Sequence, residues 1–173
     1  MPEILWIDEV GSTNDAAKDL IAAGAESGKI ISARRQTNGR GQYGRVWLFE
    51  EGAAAFSVIL RYEKNIPENL TVRIGGCVVA AIEEAAGGKI DGIRIKLPND
   101  ILIEEKKICG ILTEGQTLGD VSWVVCGIGI NVNCEKIPSE LEEIATSLYF
   151  KTGKILDIAE LIRGIQRRLM TIC

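Results

Sequence analysis

Apolar residues recur along this chain with two different periods. Over 67–86, Leu70, Ile74, Cys77, Val78, Ala81, Ile82 and Ala85 fall at helical spacing, and the Gly87-Gly88 pair stops the run. Residues 12–25 put Ala16, Ala17, Leu20 and Ile21 behind Ser12 or Thr13 as N-cap, with Asp15 in the first turn, which predicts another helix. Segments 138–150 and 157–170 predict two more that close the chain. Segments 3–8, 29–35 and 53–62 read as strands, the last buried on at least one face. Four further β-rich segments, 92–98, 100–105, 107–115 and 120–133, are separated by short turns and predict an antiparallel meander. Hairpin pairing outweighs helical crossover here, so the expected class is α+β: a mixed, largely antiparallel sheet with packed helices. No repeat or linker interrupts the pattern, and 173 residues suit one domain.

Composition adds exclusions. At 46% hydrophobic and 25% charged residues the chain is ordinary globular material rather than a disordered segment. A net charge of −4 argues against nucleic acid as a partner. No apolar run reaches the roughly 20 residues that span a bilayer, and Met1 leads directly into a short run flanked by Glu3 and Asp8 rather than into a leader. Five scattered cysteines, an odd number with no C-x-x-C pair, read as buried thiols in a reducing compartment. A cytoplasmic protein without membrane or nucleic-acid partners is expected. Histidine is absent, which removes Ser-His-Asp and Cys-His nucleophiles and imidazole acid–base work. Chemistry is left to Lys, Arg, Asp, Glu and backbone amides, with no protein-built metal site expected.

The stretch NGRGQYGRVW (38–47) carries G-x-G-x-x-G. A dinucleotide fingerprint needs strand, turn, then helix, whereas loop and strand follow here. A protein-kinase loop needs H-R-D and D-F-G strings, and neither occurs. Taken alone, the ten residues fit a glycine-rich surface loop with two solvated arginines. Alternatively, Gly39, Gly41 and Gly44 admit close backbone approach, Arg40 and Arg45 supply charge for a carboxylate or phosphate, and Trp47 offers a stacking face. A lid over an anionic nucleotide is the functional reading. In KLPNDILIEEKKICGILTEG (96–115), Asn99 and Asp100 sit at a Pro98-initiated turn, Lys107 opens the next strand and Gly110 leaves space beside it.

Five strings taken together are similar to the biotin protein ligase family: STN (12–14), Q-x-x-G-R-G-x-x-G-R-x-W (36–47), K-x-P-N-D (96–100), K-K-I-C-G-I-L-x-E (106–114) and G-I-G-I-N-V-N (127–133). The resemblance covers nearly the whole chain. It implies a catalytic fold related to class II aminoacyl-tRNA synthetases and lipoate ligases. It also implies two reaction steps: biotin and ATP give biotinyl-5′-adenylate, and the biotinyl group then passes to a lysine of a biotin carboxyl carrier protein. Joining a carboxylate to ATP needs charge neutralisation more than proton transfer, because the attacking carboxylate is already ionised. A chain without histidine suits that chemistry.

The resemblance assigns Ser12, Thr13, Asn14 and Gln36 to the biotin ring system. Arg40, Gly41 and Gln42 form the loop that closes over the acid and its phosphoryl ester. Lys107, with Gly110 beside it, holds the carboxylate as charge develops, and Asp100 positions the acceptor lysine. Arg45, Trp47, Asn99 and Asn131 belong to the nucleotide, with Mg²⁺ carried mainly by the ATP phosphates. Many members have Arg where Gln42 stands, and Leu97 replaces a usual Trp. The family usually continues into a small C-terminal β-barrel, so residues 1–173 are expected to be the catalytic domain alone, without that barrel and without an N-terminal DNA-binding domain. Homodimers are common in the resembling family. The alternatives are lipoate or octanoate ligation, which typically goes with an R-R-x-G-G-G string and a histidine, and a non-catalytic biotin- or adenylate-binding module.

Overall fold

The computed structural model describes residues 2–63 and 65–173. Strand β1 (Ile4–Val10), helix α1 (Thr13–Ala22) and the parallel strand β2 (Ile30–Gln36) form a crossover unit. Strand β3 (Ala53–Tyr62) runs antiparallel to β2, helix α2 (Leu70–Ala86) follows, and β4 (Ile93–Lys96), β5 (Asp100–Ile103), β6 (Lys106–Leu118) and β7 (Val121–Asn131) form the expected meander. Strand β7 returns to pair with β3, giving the sheet order β1-β2-β3-β7-β6-β5-β4. Six strand pairs close the sheet and all but β1–β2 are antiparallel, as the hairpin-rich pattern predicts.

Strand alternation sends neighbouring residues to opposite faces. One face carries Ile30, Phe56, Val58, Leu60, Ile111, Ile128 and Ile130, packed against Ile74, Val78 and Ile82 of α2. Helix α4 (Ile158–Leu169) completes this core through Leu161, Ile162 and Ile165. The other face presents Ile31, Ile59 and Val125 to Ala17 and Ile21 of α1. That second apolar patch is small, because the rest of the face is given to polar side chains and glycines.

Two expectations are corrected. The helix read over 138–150 is confined to α3 (Leu148–Thr152), and 139–144 are turns. The Lys107 amide bonds the Ile144 carbonyl at 2.8 Å, and the Thr146 amide bonds the Lys107 carbonyl at 2.9 Å. Pairing with the sheet takes backbone groups that a helix would use, and Ser147 then caps α3 through the Phe150 amide at 3.2 Å. Ser12 is the N-cap of α1 by position, yet its side chain makes no capping bond. Among the described residues no helix is long and apolar enough to cross a membrane.

Candidate active site

The polar face of the sheet is built from three adjacent strands. In the G-I-G-I-N string of β7, Ile128 and Ile130 face the core while Gly127 and Gly129 lie opposite. A Cβ on Gly127 would lie 2.2 Å from Asn14 Oδ1, and one on Gly129 would lie 2.5 Å from the Trp47 ring. The glycines therefore let α1 and the glycine loop settle directly onto the sheet. Ser57, wholly buried in the apolar run of β3, lies 2.7 Å from Asn14 Oδ1 and 2.8 Å from Thr13 Oγ1. The Asn14 oxygen can only accept, so the single Ser57 hydroxyl proton goes there. Gln36 Oε1 accepts from the Thr13 amide at 3.0 Å. Thr13, Asn14 and Gln36 thus form a fixed polar wall.

Lys107 owes its direction to a β-bulge. Asp100 pairs with Gly110 and Ile101 with Cys109, but Leu102 pairs with Lys107, so Ile108 is the extra residue. Without the bulge Lys107 and Gly110, three positions apart, would face opposite sides. With it, a Cβ on Gly110 would lie 3.1 Å from Lys107 Nζ. Lys107 Nζ sits 2.7 Å from Asp100 Oδ1 and 5.6 Å from the centroid of the Trp47 ring. The Asp100 oxygen makes no well-aligned hydrogen bond, so this contact is charge pairing rather than a directed bond. Lys106 turns away and donates to the Glu142 carbonyl at 2.6 Å. Strand β6 lies inside the sheet, so Lys107 is not a lysine on an edge strand.

The glycine loop crosses above this wall. Arg40 and Val46 form a bridge, Gln42–Gly44 make a 3-10 turn, and Tyr43 at its tip is 87% exposed. Gly44 has φ +73, a left-handed value that a side chain would resist. The Trp47 amide bonds the Gly39 carbonyl at 2.9 Å, and a Cβ on Gly39 would collide with the Trp47 carbonyl at 2.5 Å. Arg40 donates twice to Asp15, at 2.7 and 2.5 Å, and approaches Glu114 at 3.3 Å. The Arg40 bond holds the Asp15 carboxyl below the usual range, while Asp15 and Glu114 raise the Arg40 guanidinium further. Burial pushes the Glu114 carboxyl up, but bonds from Lys18 and Asn14 and the nearby charges win, and its pKa is lowered.

Two clefts open on this face. The first, about 110 Å³, is lined by Ser12, Thr13, Asn14, Gln36, Arg40, Gly41, Gln42, Asn99 and Gly110. The second, about 530 Å³, extends past Asn131 to Pro138 and Ile144. Arg45, Val46, Trp47, Asp100 and Lys107 line both. Every residue to which the resemblance assigns a site role lines one cleft or the other, whereas Gly39 and Gly44 of the loop line neither. Asn99 lies in the first rather than beside Asn131, and its amide fixes the turn by bonding the Ile111 carbonyl at 2.9 Å. Asn131 donates to the Thr146 carbonyl at 3.0 Å. The sequence names Asp15 only as a first-turn helix acid and Glu114, Gly127 and Gly129 only as members of the family strings, and it gives Lys18 and Ser57 no site role. A lone serine in an apolar strand and glycines at period 2 were the available signals.

A family model described as the biotin/lipoate A/B protein ligase family matches residues 6–131. The chain belongs to this family. It is 43% identical over 168 residues to the bifunctional ligase/repressor BirA of Bacillus subtilis, an alignment covering 94% of this chain and 51% of that protein. The chain thus spans about half the length of the curated relatives it matches. Among solved structures of the family it is similar to the biotin protein ligase from Aquifex aeolicus in complex with biotin and ATP. The TM-score is 0.84 at 36% identity, covering 99% of this chain and 70% of that one. The biotin protein ligase from Leishmania major in complex with biotinyl-5-AMP gives a TM-score of 0.82 at 27% identity over 100% of this chain and 75% of that one.

Proposed function

We propose that this domain activates biotin with ATP and transfers the biotinyl group to a lysine of a biotin carboxyl carrier protein. The observation that carries this reading is the position of Lys107 at the junction of the two clefts. Biotin lies in the first cleft, with its ring system on the Thr13–Asn14–Gln36 wall. The nucleotide lies in the second. The biotin carboxylate and the ATP α-phosphate meet at Lys107, which lines both spaces together with Arg45 and is the cation that faces Gly110. A carboxylate oxygen attacks the α-phosphorus as the bond to pyrophosphate breaks, and Lys107 neutralises charge on both oxygens. The carrier lysine amine then attacks the acyl carbon, AMP leaves with the electron pair, and the amine loses its proton. Asp100 stands beside Lys107 to position the incoming lysine, whose ammonium gives up a proton to solvent before the amine attacks.

Relatives known with biotin, ATP and biotinyl-5-AMP support the choice of ligands. The first cleft, about 110 Å³, is narrower than the roughly 300–1,000 Å³ of ordinary ligand pockets, so the glycine loop above it must move to admit biotin. Mg²⁺ enters with the ATP phosphates. Among the described residues no three acidic, His or Cys side chains gather to cage an ion, and one carboxylate near the phosphates suits Mg²⁺, which keeps most of its waters. Five free thiols, three of them buried, favour the cytoplasm as the working compartment. The test is pyrophosphate release from biotin and ATP, followed by mass spectrometry of a carrier protein offered biotin, lipoate and octanoate together. Biotin-dependent release with a biotinyl adduct supports the proposal. Release with lipoyl or octanoyl transfer moves the substrate, and binding without release makes the domain a non-catalytic binder.

A further inference from the structure

We infer that Glu114 is a positioning residue that ties the glycine loop to the acid-binding wall, deepening the reading of the site given above. Its carboxylate sits on β6 and gathers three donors from two different elements. Asn14 Nδ2 donates at 2.6 Å, Lys18 Nζ at 2.7 Å, and Arg40 approaches at 3.3 and 3.5 Å. Asn14 and Lys18 come from α1, whereas Arg40 comes from the loop.

The Asn14 amide is fixed at both ends. Its oxygen accepts from the buried Ser57, and its nitrogen donates to Glu114 and, at 3.3 Å, to the Leu112 carbonyl. Arg40 is likewise held from two sides, by Asp15 and by Glu114. Asn14 and Arg40 both line the first cleft, whereas Glu114 lines a neighbouring one together with Arg40, Gly41 and Tyr43. Two positive and two negative side chains therefore form a neutral cluster, and Glu114 is the member that touches both the wall and the loop.

The loop is otherwise tied on this side by the Arg40–Asp15 pair and, at its start, by the Asn38 amide on the Gly11 carbonyl at 2.8 Å. Its own backbone supplies the Arg40–Val46 bridge, with the Gly41 amide on the Arg45 carbonyl at 2.7 Å, and these bonds move with the loop. The Arg40 guanidinium, already matched by two carboxylates, anchors the loop and leaves Lys107 and Arg45 as the cations for an anionic ligand. Partly exposed pairs of this kind contribute little to global stability. Their loss should free the loop without unfolding the domain.

The experiment is chymotrypsin cleavage at Tyr43, which lies in the loop but outside the cluster, on the ligand-free domain. Glu114→Gln keeps the shape and one acceptor for Asn14 while removing the charge seen by Arg40 and Lys18. Cleavage should be roughly three- to tenfold faster than in the parent, with an unchanged thermal midpoint. An equal cleavage rate overturns the inference. The unmutated domain gives a second reading: cleavage, normalised to a peptide substrate, should quicken as salt rises from about 0.05 to about 0.5 M, and salt independence also overturns it. In the pyrophosphate assay Glu114→Gln should raise the biotin KM several-fold with kcat nearly kept, a split that loss of general stability does not produce. A fall in kcat at constant KM counts against a positioning role. If the parent releases no pyrophosphate, the ligase proposal fails while the ligand-free cleavage still decides the role of Glu114.

Discussion

Lys107 and Gly110 share one face of β6 although they stand three residues apart, because the bulge at Ile108 reverses the alternation between them. The same bulge carries Lys107 to Asp100 and over the Trp47 ring, at the meeting of two clefts. A bulge next to a site commonly re-aims one side chain, and here it aims the residue on which the proposed chemistry depends.

Lys107→Ala should therefore nearly abolish adenylate formation. Removing a transition-state charge contact in a closed site costs about 2.7–4 kcal/mol, or roughly a hundred- to thousandfold in rate. Lys106→Ala removes a side chain that bonds the Glu142 carbonyl away from both clefts, and should leave the rate within a few-fold of the parent. Pyrophosphate release from the two variants makes the comparison, and equal losses would remove Lys107 from its role.

The period-2 glycines of β7 give a second contrast. Gly127→Ala drives a methyl into Asn14 and should weaken biotin binding at least tenfold by displacing the wall, as read by calorimetry. Gly76→Ala, in the middle of α2 with nothing within 4 Å of the added carbon, should instead stabilise the fold by about 0.5–1 kcal/mol. Biotin affinity unchanged in Gly127→Ala would mean that Asn14 can retreat without consequence.

Much of this organisation is legible in the chain. The α2 periodicity, its Gly87 stop at φ +82, and the β4–β7 meander follow from local spacing, and so does the loop-then-strand context that removes the dinucleotide reading of 38–47. What was not legible is what depends on contacts distant in sequence. Residues 138–146 look helical, but the Ile144 carbonyl and the Thr146 amide are claimed by Lys107, some forty positions earlier. Glu114 gives no sign in its own strand that Asn14, Lys18 and Arg40 will converge on it. The bulge at Ile108 is invisible to alternation, since it is the exception to alternation.

The thiols offer a check on burial. Burial pushes the Cys109 and Cys126 thiols far up and the Cys134 thiol to about 11, leaving all three protonated and enclosed. Cys77 is half-buried and Cys173 exposed. Iodoacetamide at about pH 8 should modify only Cys173 and, more slowly, Cys77 in the native domain, and all five thiols in denaturant. Peptide mapping that finds native Cys109 or Cys126 alkylated would contradict the packing of β6 and β7 against α2.

Acidification should dissolve the charge cluster before it dissolves the core. The groups facing Glu114 are Asn14 and Lys18 from α1 and Arg40 from the loop, and Asp15 joins through its pairs with Arg40 and Lys18. Both carboxyls have folded pKa values lowered from those of the unfolded chain, so each contributes stability above its unfolded value, near 3.9 for Asp and 4.3 for Glu. That contribution is lost as pH falls through the lowered folded values, because the folded state must then take up protons that the unfolded state already holds. Asp15 is more than half exposed, so solvent screens its share heavily, and the greater part should come from Glu114. Parent and Glu114→Gln should accordingly differ most in hydrogen-exchange protection of residues 38–47 at about pH 6, and the difference should shrink as pH falls through the lowered Glu114 pKa, below the ordinary carboxylate range. A difference that persists undiminished into acid would mean that Glu114 holds the loop by shape and hydrogen bonding alone, with its charge irrelevant.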